Sequence, residues 1–326
     1  MLLLPAGYFS YEIFMAACGG NRAIAASAVA AYVLHPSILA VFATVQNDAF
    51  CYLWTLAAIW YLAKTEREIF QRRFHCLALG ALNGLAILSK MNALPLVIAI
   101  PLFLWSKRKE SSMAMVIRGV VDYSLAFAMV AGWWVIRNKV LYGDFTGHMA
   151  IYYFAKEPDV LPLWKLTGVY YFMQNFLAYY TMPSEYYRNV FQVPFLVRGM
   201  AVASVVLFFA GCVRFSKPLI ARLRRYPMAR FLFGFVLITF GIHILASVGE
   251  AYFGPRITFV AFPAVVLAFC VVFRFIALRL MGRNFESLLL YATVAMMLGL
   301  DAYLLVTANS FPEILPTRTF FEAAVR

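Results

Sequence analysis

Apolar runs of about 20 residues, nearly free of charge, recur along this chain, and that is the length a helix needs to cross roughly 30 Å of hydrocarbon. They fall at roughly 2–17, 23–45, 49–63, 76–89, 93–106, 119–136, 194–213, 231–248, 258–276 and 287–307. Backbone groups left unpaired in lipid are too costly, so only helices or a closed barrel can span. The runs are continuous and lack the period-two alternation of barrel strands, which selects helices. With 64% hydrophobic and 13% charged residues among 326, a single soluble core could not hide this much apolar side chain. The expectation is an all-α, polytopic transmembrane helical bundle of about ten segments. One transmembrane domain spans 1–307, and a tail covers 308–326.

The net charge of +13 raises the question of a nucleic-acid partner. Lys and Arg cluster in short loops between apolar runs, the positive-inside pattern of a plasma or inner membrane protein. That distribution assigns the charge to membrane lipids and not to nucleic acid. Cys18, Cys51, Cys76, Cys212 and Cys270 are odd in number and scattered, with neither metal spacing nor a disulfide framework. No GxGxxG, GxxxxGK[ST] or HExxH occurs, so no nucleotide-driven or zinc-protease chemistry is indicated, and no cofactor or metal is expected.

Topology turns on residues 76–106, "CLALGALNGLAILSKMNALPLVIAIPLFLW". As one helix it would be about 46 Å long at 1.5 Å per residue, and Lys90, Asn92 and Pro95 interrupt its middle. A short-armed hairpin puts Arg22, Lys64 to Arg73, Lys107 to Arg118, Arg214 to Arg230 and Arg274 to Arg283 on one side. That side then holds 18 of the 28 Lys and Arg; a single span would erase the bias, so the hairpin is preferred.

The outer side then receives Asn47 and Asp48, Lys90 and Asn92, the loop 137–193, the loop 249–256 and the tail. Within the long loop, 163–181 reads as an interfacial helix. Trp133 and Trp134 suit an aromatic belt, and Tyr142-Gly143-Asp144 a turn. Asp48 opens a helix, where it serves as an N-cap residue or as a carboxylate orienting a hydroxyl. Lys90 is a snorkelling lysine or a pocket cation. Arg256, after Gly254-Pro255, can fork onto phosphate or sit among headgroups. Arg137 and Glu185 are further outer candidates, and His35 and His243 read as packing residues. Such a gathering suits sugar transfer from a lipid phosphate: cations for phosphate, aromatic faces for sugar, an acid for an attacking hydroxyl.

Four stretches, "AAYVLHPSILAVFATVQNDAF", "LGALNGLAILSKMNALPLV", "GWWVIRNKVLYGDFTG" and "YFGPRITFVAFPA", resemble in order and spacing the polyprenyl-phosphate-sugar-dependent glycosyltransferases of the GT-C fold. These include protein O-mannosyltransferase-like and aminoarabinose-transferase-like membrane proteins, and the likeness covers about residues 1–275. The resemblance implies that Asp48 is the acid of the second outer loop, near the reacting centre, and that Lys90 faces the donor phosphate. Trp134, Arg137, Asn138, Tyr142 and Asp144 would begin the large outer loop, and Arg256 would neutralise the leaving lipid phosphate. Asn47, Asn92 and Glu185 complete the expected substrate contacts. The partners implied are a polyprenyl-phosphate-linked sugar donor and a lipid, glycan or protein acceptor.

One departure accompanies the likeness. The family carries a first helix and an outer loop with a general-base Asp, and neither is present in this sequence. Charge parity also places Met1 outside, so the expectation is a chain truncated at its start. The alternative reading is a transporter or flippase of an anionic or lipid-linked substrate. That reading calls for polar residues along the midplane and paired broken helices, whereas here they gather at one boundary.

Overall fold

Gly19 and Gly20 adopt φ values of +62° and +84°, a region glycine enters without the penalty of a Cβ, and there helix α1 (Leu3–Ala17) turns back. Asn21 then caps α2 (Arg22–Val33), its Oδ1 accepting the Ile24 N–H at 2.9 Å, the capping role expected of Asn. Pro36 disfavours helix at the residue before it, so the apolar run 23–45 divides at Leu34-His35 into α2 and α3 (Pro36–Ala43). The computed structural model describes residues 2–43, 47–143, 145, 195–249, 260–281 and 295.

The chain continues through α4 (Asn47–Thr65), α5 (Arg73–Ser89), a 3-10 turn over Met91–Ala93 and α6 (Leu94–Ser106). After a Ser112 cap, α7 (Met113–Phe127) passes through a π turn (Ala128–Gly132) into α8 (Trp133–Tyr142). The described remainder comprises α9 (Phe195–Arg214), α10 (Ser216–Arg225), α11 (Pro227–Gly249) and α12 (Phe262–Met281). Every regular element among the described residues is helical. Three stretches, Met113–Tyr142, Pro227–Ile244 and Phe262–Leu280, are long and apolar enough to cross a membrane. At 1.5 Å per residue the 30-residue rod Met113–Tyr142 extends about 45 Å, more than a hydrocarbon slab, so tilt must take up the excess. Residues 163–181, 287–307 (apart from residue 295) and the tail 308–326, read as interfacial helix, span and tail, lie outside the described residues.

The hairpin forms as charge parity requires. Lys90 leaves the helix at φ −167° and ψ 142°, fully extended, and Pro95 starts α6 where its missing N–H costs nothing. Two ion pairs then establish the direction of both arms. Lys90, after α5, meets Asp48 at the start of α4, while Lys107, after α6, meets Glu66 just past the end of α4. Thus α5 runs antiparallel to α4, and α6 returns.

Segments expected to share the basic side do gather at one end of the bundle. Lys64 pairs with Glu12, Lys107 lies buried between Glu66 and Glu110 at 3.3 and 3.0 Å, and Arg118 donates to the Phe70 carbonyl at 3.3 Å. Arg222 donates to the Cys18 carbonyl at 3.0 Å. At the opposite end His35 rests edge-on against the Phe262 ring with centroids 4.7 Å apart. One boundary differs from expectation: Arg137–Tyr142, read as the start of the outer loop, prolong the helix. The chain meets no helix breaker until Gly143, whose φ of +78° ends α8.

Packing inverts the soluble pattern. Met113, Ile117, Val121, Leu125, Met129, Trp133, Ile136 and Val140 form an exposed apolar stripe along α7 and α8, at the spacing of one helix face. The interior contains Ala6, Ala25, Ala28, Ala58 and Ala86, all buried. Between helices in lipid there is no hydrophobic driving force, so small residues that admit close backbone approach do the joining. Gly80 and Gly84 of α5 play that part against α7: a Cβ on Gly80 would lie 2.1 Å from the Tyr123 carbonyl oxygen, and one on Gly84 2.7 Å from Val130 Cβ. Between them Asn83 Nδ2 donates to Tyr123 Oη at 2.5 Å. Gly80→Val therefore forces α5 and α7 apart and lowers unfolding stability in detergent by roughly 1–3 kcal/mol. Gly234→Ala, where an added Cβ meets nothing within 4 Å, leaves the midpoint unchanged or slightly raised.

Candidate functional site

Each member of the Asp48–Lys90 pair stands at the helix end that favours its charge. Asp48 occupies the first turn of α4, where unpaired N–H groups and the positive end of the dipole attract a carboxylate. Lys90 is the C-cap residue of α5, where carbonyl oxygens attract a cation. Antiparallel packing of α4 and α5 sets these ends side by side, and Lys90 Nζ lies 2.8 Å from Asp48 Oδ1 and 2.9 Å from Oδ2. Only the Oδ2 contact has hydrogen-bond geometry.

Exposure is unequal: the Asp48 side chain is 4% accessible, that of Lys90 35%. The acid is therefore buried while the lysine that pairs with it is partly accessible. One turn into α4, buried Cys51 contacts the Lys90 carbonyl oxygen at 3.5 Å, tying the break in α5 to the start of α4. Asn92 lies buried in the 3-10 turn that follows Lys90. Sequence reading missed Cys51; the signal available was its position three residues after Asp48, on the same helix face.

The remaining candidates divide. Asn47 is exposed at the head of α4. Arg137 is exposed on α8, its guanidinium 6.0 Å from the centroid of Tyr142, so these two associate with each other and not with Asp48. Between Arg137 and Lys139, Asn138 turns inward and is buried, a residue named above only through the family likeness. Asp144, Glu185 and Arg256 lie outside the described residues. Among the described residues no three of His, Cys, Asp or Glu converge as metal ligands would.

Polar contacts also appear where the sequence reading gave little weight. Asp122 in α7 receives both Arg73 Nη2 at 2.6 Å and Nε at 3.0 Å, the bidentate fork of guanidinium on carboxylate. This pair and the buried Lys107 belong to the basic end, away from Asp48. They brace the helices that carry the site.

The architecture is thus a helical membrane bundle with an acid–cation pair at the end opposite its cationic cluster. Residues 4–136 match the sequence profile of the dolichyl-phosphate-mannose-protein mannosyltransferase family. That stretch runs from α1 into α8 and includes both Asp48 and Lys90, so over it the chain is similar to membrane glycosyltransferases. No curated protein and no solved structure matches the chain.

Unequal burial makes the two charges unequal in what their loss costs. Lys90→Met strands a buried carboxylate and lowers stability by about 3 kcal/mol, whereas Asp48→Asn leaves an ammonium already reached by water and costs about 1 kcal/mol. The double variant Asp48→Asn/Lys90→Met recovers part of the Lys90→Met loss. Unfolding midpoints of the four proteins in one detergent check the order, and equal losses from the two single changes would contradict it.

Proposed function

We propose that this chain is a membrane glycosyltransferase that takes a sugar from a polyprenyl-phosphate donor at the end of the bundle carrying Asp48 and Lys90. The observation that carries the reading is that pair, with its partly accessible lysine and its buried acid, inside the stretch similar to the mannosyltransferase family. Charge distribution supports placing this end on the outer side of the cell membrane, in a multi-pass arrangement. The similarity to dolichyl-phosphate-mannose-protein mannosyltransferases makes mannose the first sugar to test. The acceptor class is a lipid, glycan or protein hydroxyl.

In this reaction the donor phosphate binds Lys90 and draws it from Asp48, which exposes the carboxylate. The acceptor oxygen attacks the anomeric carbon, a new C–O bond forms, and the bond from that carbon to the phosphate oxygen breaks. The hydroxyl proton passes to Asp48, and polyprenyl phosphate leaves with its charge held by Lys90 and Arg256. Attack opposite the leaving group inverts the anomeric configuration, and no nucleotide is consumed. Asn92 lines the pocket behind Lys90. Asn47, Arg137, Tyr142, Asp144 and Glu185 are the candidate contacts to sugar or acceptor.

Membranes containing the protein, incubated with radiolabelled polyprenyl-phosphate sugars, transfer label and release polyprenyl phosphate. Lys90→Met and Asp48→Asn each reduce the rate by about 100-fold or more per folded molecule, while Lys90→Arg retains a measurable part. Folded protein is quantified by monodisperse elution, so stability loss is separated from loss of chemistry. Full activity in Asp48→Asn/Lys90→Met would reduce the pair to a structural clasp, and label transfer from no donor in the panel would remove the assignment.

A further inference from the structure

At the opposite end of the bundle, α10 presents an ionic face that this reaction does not use. Leu219, Arg222, Leu223 and Tyr226 turn partly inward. Arg222 grips the Cys18 carbonyl, and the Tyr226 ring presses so closely on Gly19 that a Cβ there would come within 2.3 Å of it. The helix is therefore fastened to the α1–α2 turn and cannot rotate. Its other face carries Lys217, Ile220, Ala221, Arg224 and Arg225, which line one shallow open groove. Their spacing of three, four and seven residues is that of a single helix side.

That face has charge without compensation. No Asp or Glu occurs between Glu185 and Glu250, and none of Lys217, Arg224 and Arg225 takes part in an ion pair among the described residues. Elsewhere at this end Lys64, Arg73 and Lys107 are each matched to a carboxylate. Exposed Arg67 and Lys109 take part in no ion pair among the described residues but line no part of this groove. Ile220, 48% exposed, stands among the cations of the α10 face, of which Arg225 also lies 5.5 Å from the centroid of the Tyr226 ring. The helix also sits between two apolar neighbours. Helix α9 ends at Arg214 with Val206, Leu207, Phe209 and Val213 exposed, and α11, long and apolar enough to cross a membrane, starts at Pro227. A basic helix held at that junction lies at the boundary of hydrocarbon and water, where the anion within reach is a lipid phosphate.

We infer that the outward face of α10 is a binding site for anionic phospholipid headgroups, with Lys217, Arg224 and Arg225 on the phosphates and Ile220 at the acyl boundary. Guanidinium forks suit phosphate oxygens. The groove, open along its length, accepts a headgroup from the side while the acyl chains remain in the bilayer.

Delipidated full-length protein in detergent, titrated with phosphatidylglycerol or phosphatidylcholine and read by native mass spectrometry, tests the site. Each cation near such a surface is worth about fivefold in affinity, so the wild type holds phosphatidylglycerol in preference, and Lys217→Gln/Arg224→Gln/Arg225→Gln loses about 100-fold. The comparison variant Arg67→Gln/Lys109→Gln, altered at exposed cations of the same end, keeps the preference. Equal retention of the two lipids by the wild type, or an equal loss in both variants, overturns the assignment. Displacement of the lipid by inorganic phosphate also overturns it, in favour of a soluble phosphate ligand. Because the readout is lipid retention, its failure leaves the glycosyltransferase reading standing, and loss of sugar transfer leaves this one standing.

Discussion

The ion pair between Asp48 and Lys90 closes a reversal of the chain, and the rest of the bundle is organised around that reversal. Helix α5 ends one residue before Lys90, which is extended; a single 3-10 turn and a proline then launch α6 in the opposite direction. Had the run 76–106 formed one rod, Lys107 could not meet Glu66 while Lys90 meets Asp48. Every later helix would also emerge at the other end. An unpaired carboxylate at this depth would cost several kcal/mol. The pair is favoured because two helix termini of opposite partial charge meet there, so dipoles and side chains act in the same sense.

Around this point the helices approach through absence of side chain. Gly80 and Gly84 bring α5 within backbone distance of α7, and that closeness lets Asn83 reach Tyr123. Large apolar residues also face outward, along α7 and α8 above all. The π turn at Ala128–Gly132 lies in the same contact, opposite Gly84. A helix that must pass a glycine face and continue for another ten residues accommodates the mismatch by one widened turn.

The two ends of the bundle use charge differently. At the basic end three cations are neutralised locally, Lys64 on Glu12, Arg73 on Asp122 and Lys107 between two glutamates, while those of α10 take part in no ion pair among the described residues. At the other end a single pair stands among the described residues, its lysine partly exposed. Paired charges brace helices; a cation whose partner can be exchanged for a phosphate can do chemistry. The asymmetry separates a cationic surface from a partly open acid–cation pair, on one scaffold.

Hydropathy and charge parity determined much of this protein without coordinates. The helices, the break at Lys90, the gathering of Arg22, Lys64, Lys107 and Arg222 at one end, and the candidacy of Asp48 and Lys90 were legible because membrane insertion is read from length, apolarity and cation bias, all local properties. The same reasoning gathered Asp48 and Lys90 on one face without pairing them, passed over Cys51, placed Lys107 in a short loop between spans and ended a helix at Arg137. Each of these depends on which helix lies beside which. The 42-residue separation of Asp48 and Lys90 becomes a 2.8 Å contact only through antiparallel packing of α4 and α5. Whether a charge is an open cation or a buried clasp was decided by tertiary structure, because burial and the identity of the opposing charge are properties of neighbours in space.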